Sequence, residues 1–331
     1  MAGIREVAEL AGVSKSTVSI VINGKSEERK IPKETQEKVL RAVKKLNYQI
    51  NLSAKRMRVP DTRKTIALYW TTDFRDIMLA RFLKGVQQQI KESDLAYDVI
   101  IYPYENNMLS KEDSLISVSS FHGALIANAG EEDLKFLSTT KPMVPVVLYN
   151  RILENLSSVY VDDSVIAREA FSLLKNKGKI AIVKAPHAFE GMKIRDNTLK
   201  NLLSQNSQEY VECDVDTNQS YDGYQIASRI DFRSTSVIYT ASDMIALGIM
   251  HYCYEHHIRI PEDIEILAIG NGLTHINEFL NPSLTTIQIP IETMAAECLL
   301  MLNKQFQNPA LTQKEILPNI TIRDSLKILT K

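Results

Sequence analysis

Apolar residues over the first fifty positions recur every three to four residues, in short bursts broken by polar turns. Ile4, Val7, Ala8 and Leu10 share one face of a first helix, and Ala11-Gly12-Val13 supplies a turn whose glycine can take a positive φ. Ser14 can cap a second helix on which Val18, Val21 and Ile22 pack inward, while Lys15, Ser16, Thr17 and Ser19 stay polar near its start. The polar, glycine-containing stretch 23–30 reads as a loop. Ile31-Pro32-Lys33-Glu34-Thr35 opens a third helix with Val39, Leu40, Val43 and Leu46 on its apolar face. The spacing predicts a helix-turn-helix over 4–23, with polar side chains placed to reach base edges in a major groove.

Beyond residue 60 the period changes. Short apolar runs at 65–70, 97–102, 123–128, 143–149, 179–185, 236–242 and 264–270 read as strands buried on both faces. Amphipathic segments lie between and after them, at 77–93, 164–177, 190–205, 221–232, 243–258 and 290–306. This alternation predicts open, mostly parallel sheets covered by helices, with length enough for two domains of about 130 residues. Ligands in such sheets sit outside the carboxyl ends of the strands. The residues to search are therefore 71–76, 103–106, 128–131, 150–152, 186–191, 242–244 and 270–273.

Charge divides the chain in the same place. Residues 1–60 hold 13 Lys+Arg against 6 Asp+Glu, and the remainder holds 26 against 34. A basic head can neutralise phosphates and gain from counterion release, whereas an acidic body is repelled by DNA. The basic run 48–58, ended by Pro60, is either part of that interface or a solvated linker. Enzyme and metal chemistry find no support: there is no glycine-rich phosphate loop, no H-E-x-x-H and no paired-cysteine spacing. The cysteines, 213, 253 and 298, fit reduced cytosolic thiols. With no signal peptide and no apolar run near 18 residues, the sequence predicts a cytoplasmic protein without a membrane segment, cofactor or catalytic residue.

Two stretches resemble the lactose repressor/galactose repressor family of bacterial transcription regulators. The first is Glu6-Val7-Ala8, Ala11-Gly12-Val13-Ser14, Thr17-Val18-Ser19 and Asn23, followed by Leu46-Asn47-Tyr48, Asn51, Ala54 and Met57. The second is Ser242-Asp243, Ala246-Leu247-Gly248, Ile260-Pro261 and Asp263, followed by Pro282-Ser283-Leu284-Thr285-Thr286. The resemblance implies a small all-α helix-turn-helix headpiece (1–50), a hinge helix (51–60), and an α/β body (61–331). That body would be periplasmic-binding-protein-like, two Rossmann-like lobes crossed three times by the chain, which returns to the first lobe after about residue 290. It implies a homodimer on a pseudo-palindromic operator, with Met57 wedged into the minor groove and a sugar-like effector between the lobes. DNA contacts would come from Ser14, Lys15, Ser16, Thr17, Ser19, Ile20, Asn23, Tyr48, Asn51, Ala54, Lys55, Arg56, Met57 and Arg58.

The chain also departs from that pattern. Ile20 replaces a recognition-helix arginine, which favours a thymine-methyl contact over a bidentate guanine contact. Ile50 replaces the proline before the hinge. Arg195 falls in the register of the family's effector-binding arginine, with Thr198 where a glycine is usual. Gly270 stands where an effector-binding aspartate is usual, with Asn271 next, which puts a neutral pentose or hexose in doubt. The expected effector set is Asp73, Phe74, Tyr104, Asn128, Asn150, Arg195, Ser242, Asp243 and Asn271. Trp70 is expected in the lobe core. Asp73 and Arg195 either clamp a ligand from both lobes or pair with each other. The competing reading is a cytosolic sugar-binding or sugar-processing α/β protein with a basic N-terminal module, which would have no use for a hinge wedge.

Overall fold

In the first part of the chain, α1 (Ile4–Ala11) ends on Gly12, whose φ of +65° is open to glycine without strain. Val13 N donates to Ala8 O at 3.0 Å and Gly12 N to Glu9 O at 3.3 Å, the paired bonds of a Schellman cap. Helix α2 (Lys15–Ile22) is capped by Ser14, whose Oγ accepts from Thr17 N at 3.1 Å. With α3 (Lys33–Lys45) these helices enclose Val7, Ala8, Ala11, Val18, Val21, Val39 and Ala42. Two expected core positions turn out otherwise. Leu10 is 45% and Leu40 54% exposed, because the small core takes only a narrow stripe of each helix, on α1 Val7, Ala8 and Ala11 and on α3 Val39 and Ala42.

The structure, a computed structural model, describes residues 4–22, 26, 29–46, 63–72, 76–115, 121–187 and 189–328. Its contacts divide the chain into two units, Met1–Thr62 and Arg63–Lys331. Asn23, Tyr48, Asn51, Ala54, Lys55, Arg56, Met57 and Arg58, and with them the expected hinge helix, lie outside the described residues, as do Asp73 and Phe74.

The second unit has two sheets. The first lobe contains β1 (Lys64–Thr71), α4 (Asp76–Glu92), β2 (Tyr97–Tyr104), β3 (Gly123–Ala127), α5 (Glu131–Thr139), β4 (Val146–Tyr149) and β5 (Ser157–Tyr160). The chain then crosses to α6 (Asp163–Leu174), β6 (Ile180–Lys184), α7 (Glu190–Gln205), β7 (Tyr210–Asp214), α8 (Ser220–Ala227), β8 (Val237–Thr240), α9 (Asp243–Glu255), β9 (Glu265–Ile269) and β10 (Thr285–Gln288). It returns with α10 (Ile291–Gln305), which packs on α4, and β11 (Gln313–Glu315), then crosses a third time to β12 (Asn319–Thr321). Strand orders are β11-β5-β4-β3-β1-β2 and β12-β10-β9-β8-β6-β7, parallel except for β12 on β10. The lobes thus repeat one plan, in which β4 corresponds to β9 and β5 to β10.

Strands β1, β3, β6, β8 and β9 are buried along nearly their whole length, as the apolar runs predict. The run at 97–102 is different: β2 is an edge strand, and Ile100 and Ile101 are 38% and 39% exposed. Trp70 lies in the lobe core, its ring 5.5 Å from Phe82 and 6.3 Å from Tyr149. Cys253 and Cys298 are buried and Cys213 half-buried, all as free thiols.

Candidate functional site

Helix α2 leaves Lys15 and Ser16 exposed, with Thr17, Ser19 and Ile20 half-buried beside the inward Val18 and Val21. Its outer face is therefore built of short polar side chains, one lysine and one isoleucine.

In the second unit a cavity of about 320 Å³ opens between the lobes at the carboxyl ends of their strands. The first lobe lines it with Met78, Asn128, Tyr149, Asn150 and Arg151, and the second with Phe189, Met192, Arg195, Asn218, Gln219, Ser242, Asp243, Met244, Ile269, Asn271 and Gly272, among others. Asn128 and Asn150 end β3 and β4 at φ +62° and +55°, a left-handed turn that asparagine tolerates better than most residues. Asn150 Oδ1 accepts from Val161 N at 3.2 Å, and Asn271 Oδ1 accepts from Ile289 N at 3.1 Å. These two bonds are equivalents in the repeated plan, each gripping the strand by which the chain leaves its lobe. The Arg151 guanidinium lies 4.6 Å from the Phe189 ring centre, a cation–π contact across the cleft.

Arg195 is buried, and its Nε and Nη2 donate to Asp163 Oδ1 at 3.2 and 2.6 Å. Among the described residues its ion partner is Asp163, at the start of α6. Burial alone would lower the guanidinium's pKa, but the attraction of Asp163 outweighs it and holds the value above the ordinary one. Next to it, His187 Nε2 and Asp196 Oδ2 lie 2.6 Å apart and fix the chain as it enters α7.

Three expected cleft residues have structural bonds of their own. Tyr104 is absent from the cavity lining because β2 lies at the far edge of its sheet. Its hydroxyl donates to Ala127 O at 3.3 Å and lies 3.5 Å from Asp133 Oδ2. Asp243 does border the cavity, yet its carboxylate accepts from Gly272 N, Leu273 N and Asn277 Nδ2 at 3.0, 2.7 and 3.1 Å. Burial raises its pKa in spite of those donors. Ser242 Oγ likewise accepts from Ile245 N at 3.3 Å as the cap of α9. Gly270 leaves no place for a side chain, since a Cβ there would lie 2.6 Å from Thr286 Cβ. Tyr149, Asn218 and Gln219 line the cavity without having been singled out in the sequence. Asn218 and Gln219 follow β7, whose half-exposed YVECD gives no strand signal.

Arg81 ties this site to the chain's return crossing. Its Nε and Nη2 donate to Glu292 at 2.8 and 2.7 Å, and its Nη1 to Asn271 O at 3.3 Å. Burial pushes the Glu292 pKa up, but the Arg81 bonds prevail and leave it lowered. A lowered carboxylate pKa gives stability that is present above the unfolded value and lost as pH falls through the folded one. Arg81→Gln should therefore destabilise the body by about 2 kcal/mol at neutral pH, the range for a charged hydrogen bond. Urea melts of variant and wild type should converge as pH drops below 4.5; a constant difference would place the effect elsewhere.

Comparison with known proteins agrees at both ends of the chain. Residues 3–51 match the family described as bacterial regulatory proteins, lacI family, and residues 177–326 match the periplasmic binding protein-like domain. The chain belongs to the lacI family. It is 28% identical over 328 residues to the HTH-type transcriptional regulator pepR1 of Lactobacillus delbrueckii subsp. lactis, covering 95% of this chain and 94% of that one. A LacI family transcription regulator from Clostridium acetobutylicum superposes with a TM-score of 0.72 at 29% identity, covering 78% and 99%. The lac repressor dimer bound to operator and the anti-inducer ONPF shares the fold, with a TM-score of 0.68 at 18% identity and 98% of each chain covered. As a lacI-family member the protein is a DNA-binding regulator of transcription and not an enzyme. Among the described residues no helix is long and apolar enough to cross a membrane.

Proposed function

We propose that this chain represses a carbohydrate-use operon as a homodimer, with operator affinity set by a small, sugar-like effector in the interlobe cleft. The observation that carries the reading is the joining, in one chain, of a basic helix-turn-helix unit to a body with a 320 Å³ cleft between repeated lobes. The working division is a headpiece at 1–50, a hinge at 51–60, and an effector-binding and dimerisation body at 61–331, acting in the cytoplasm. Ser14, Lys15, Ser16, Thr17, Ser19, Ile20 and Asn23 are assigned to the operator's major groove and phosphates. Met57, with Tyr48, Asn51, Ala54, Lys55, Arg56 and Arg58, is assigned to the minor groove. The effector set is Asn128, Asn150, Arg195, Ser242 and Asn271, with Asp73 and Phe74 from the loop after β1. One ligand state favours lobes that space two hinges for a pseudo-palindrome, and the other disfavours it by the ligand's differential affinity.

The test is a gel-shift titration against the DNA upstream of the protein's own gene, with scrambled DNA as reference. Specific binding should exceed nonspecific binding by roughly 10³-fold or more at physiological salt. Equal affinity for both DNAs defeats the proposal.

A further inference from the structure

We infer that the effector carries an anionic group, a carboxylate or a phosphate on a sugar-sized scaffold, held between Asn150 and Asn271. The inference deepens the proposed function and rests on the cleft being its effector site. Each asparagine has its orientation decided by a backbone donor, because Val161 N and Ile289 N can bond only to an oxygen. Both amides therefore keep Oδ1 turned to the backbone just after β5 or β10, and the hydrogen-bonding end left for the cavity is Nδ2, a donor. Aspartate would satisfy the same backbone N–H equally well. What asparagine changes is only the group offered to the cleft: a neutral donor in place of a charged acceptor.

The remaining lining points the same way. A neutral polyol is held best where carboxylates accept from its hydroxyls. Among the described lining residues the single acid is Asp243, and its carboxylate is taken by three donors of its own lobe. Position 270 has no room for a side chain. Two guanidiniums border the same cavity, Arg151 and, as half of its ion pair with Asp163, Arg195. A group rich in lone pairs and carrying charge meets donors from both lobes; among the described lining residues a hydroxyl meets no free carboxylate.

The experiment is calorimetric titration of the full chain with matched pairs: D-galacturonate against D-galactose, D-glucuronate against D-glucose, and D-glucose 6-phosphate against D-glucose. The pairs separate carboxylate from phosphate as the source of the charge. At least one anionic member should bind about tenfold or more tighter than its neutral partner, since charge-assisted hydrogen bonds are roughly twice as strong as neutral ones. Asn150→Asp and Asn271→Asp keep the bonds to Val161 and Ile289, and each should erase that preference while the body melts as in the wild type. Should either variant misfold, the wild-type pairs still decide. The inference is overturned if no anionic sugar binds, if the neutral member binds as tightly, or if both aspartate variants keep the preference. Operator binding is measured separately, so a lost anion preference with DNA binding intact sinks this inference alone. Loss of operator binding with the preference intact sinks the repressor reading instead.

Discussion

Val39→Asp should abolish operator binding while leaving the body's unfolding transition where it was. Val39 is fully buried at the centre of the headpiece, among Val7, Val18, Val21 and Ala42. A carboxylate there either ionises without a partner or takes a proton, and the penalty is several kcal/mol in both cases. A domain of about 60 residues has little stability to lose, so the substitution exceeds what its core can offset. The second unit has its own cores and keeps them, because their buried clusters are built of residues from Ile66 onward. Gel shifts should show a loss of about 1,000-fold or more, to the nonspecific level, beside an unchanged melting curve for Arg63–Lys331. Wild-type operator affinity in the variant would mean that the three-helix unit is not the DNA-binding element.

What could be read from the sequence was decided by where apolar residues alone do the burying. Strands β1, β3, β6, β8 and β9 are built mainly of Ile, Val, Leu, Ala and buried aromatics, and their runs are legible. Strands β5 and β10 are as deeply buried but polar: Ser157, Ser158, Thr285 and Thr286 are all fully buried. Ser157 and Thr285 find their partners far along the chain. Ser157 Oγ accepts from Gln305 Nε2 at 2.6 Å and Thr312 N at 2.9 Å, and Thr285 N donates to Ser325 Oγ at 2.8 Å. No local period can announce a strand whose burial depends on segments 40 to 155 residues away. The same limit hid Asn218 and Gln219 behind the half-exposed edge strand β7. The family register brought Arg195 to the cleft lining but not its pairing with Asp163, which depends on how α6 packs against α7.

That pairing makes Arg195→Ala the second change with a large expected effect, and one on stability. Arg195 and Asp163 side chains are 7% and 13% exposed, and their contact is 2.6 Å. Removing the guanidinium leaves the Asp163 carboxylate buried at the first turn of α6 without its cation, beside the buried ring of Tyr239. Breaking one side of such a pair typically costs about 3–5 kcal/mol. At roughly 2–4 °C per kcal/mol for a domain of this size, the body's midpoint should fall by about 10 °C. The pair itself is a different quantity, because its mutual attraction mainly repays the desolvation of both ions. Replacing both ions together, Asp163→Leu with Arg195→Met, should therefore recover most of the loss seen in the single variant. Calorimetric scans of the three proteins at pH 7 check this: a double variant no more stable than Arg195→Ala would show that Arg195 supports the lobe through its packing and not through its charge.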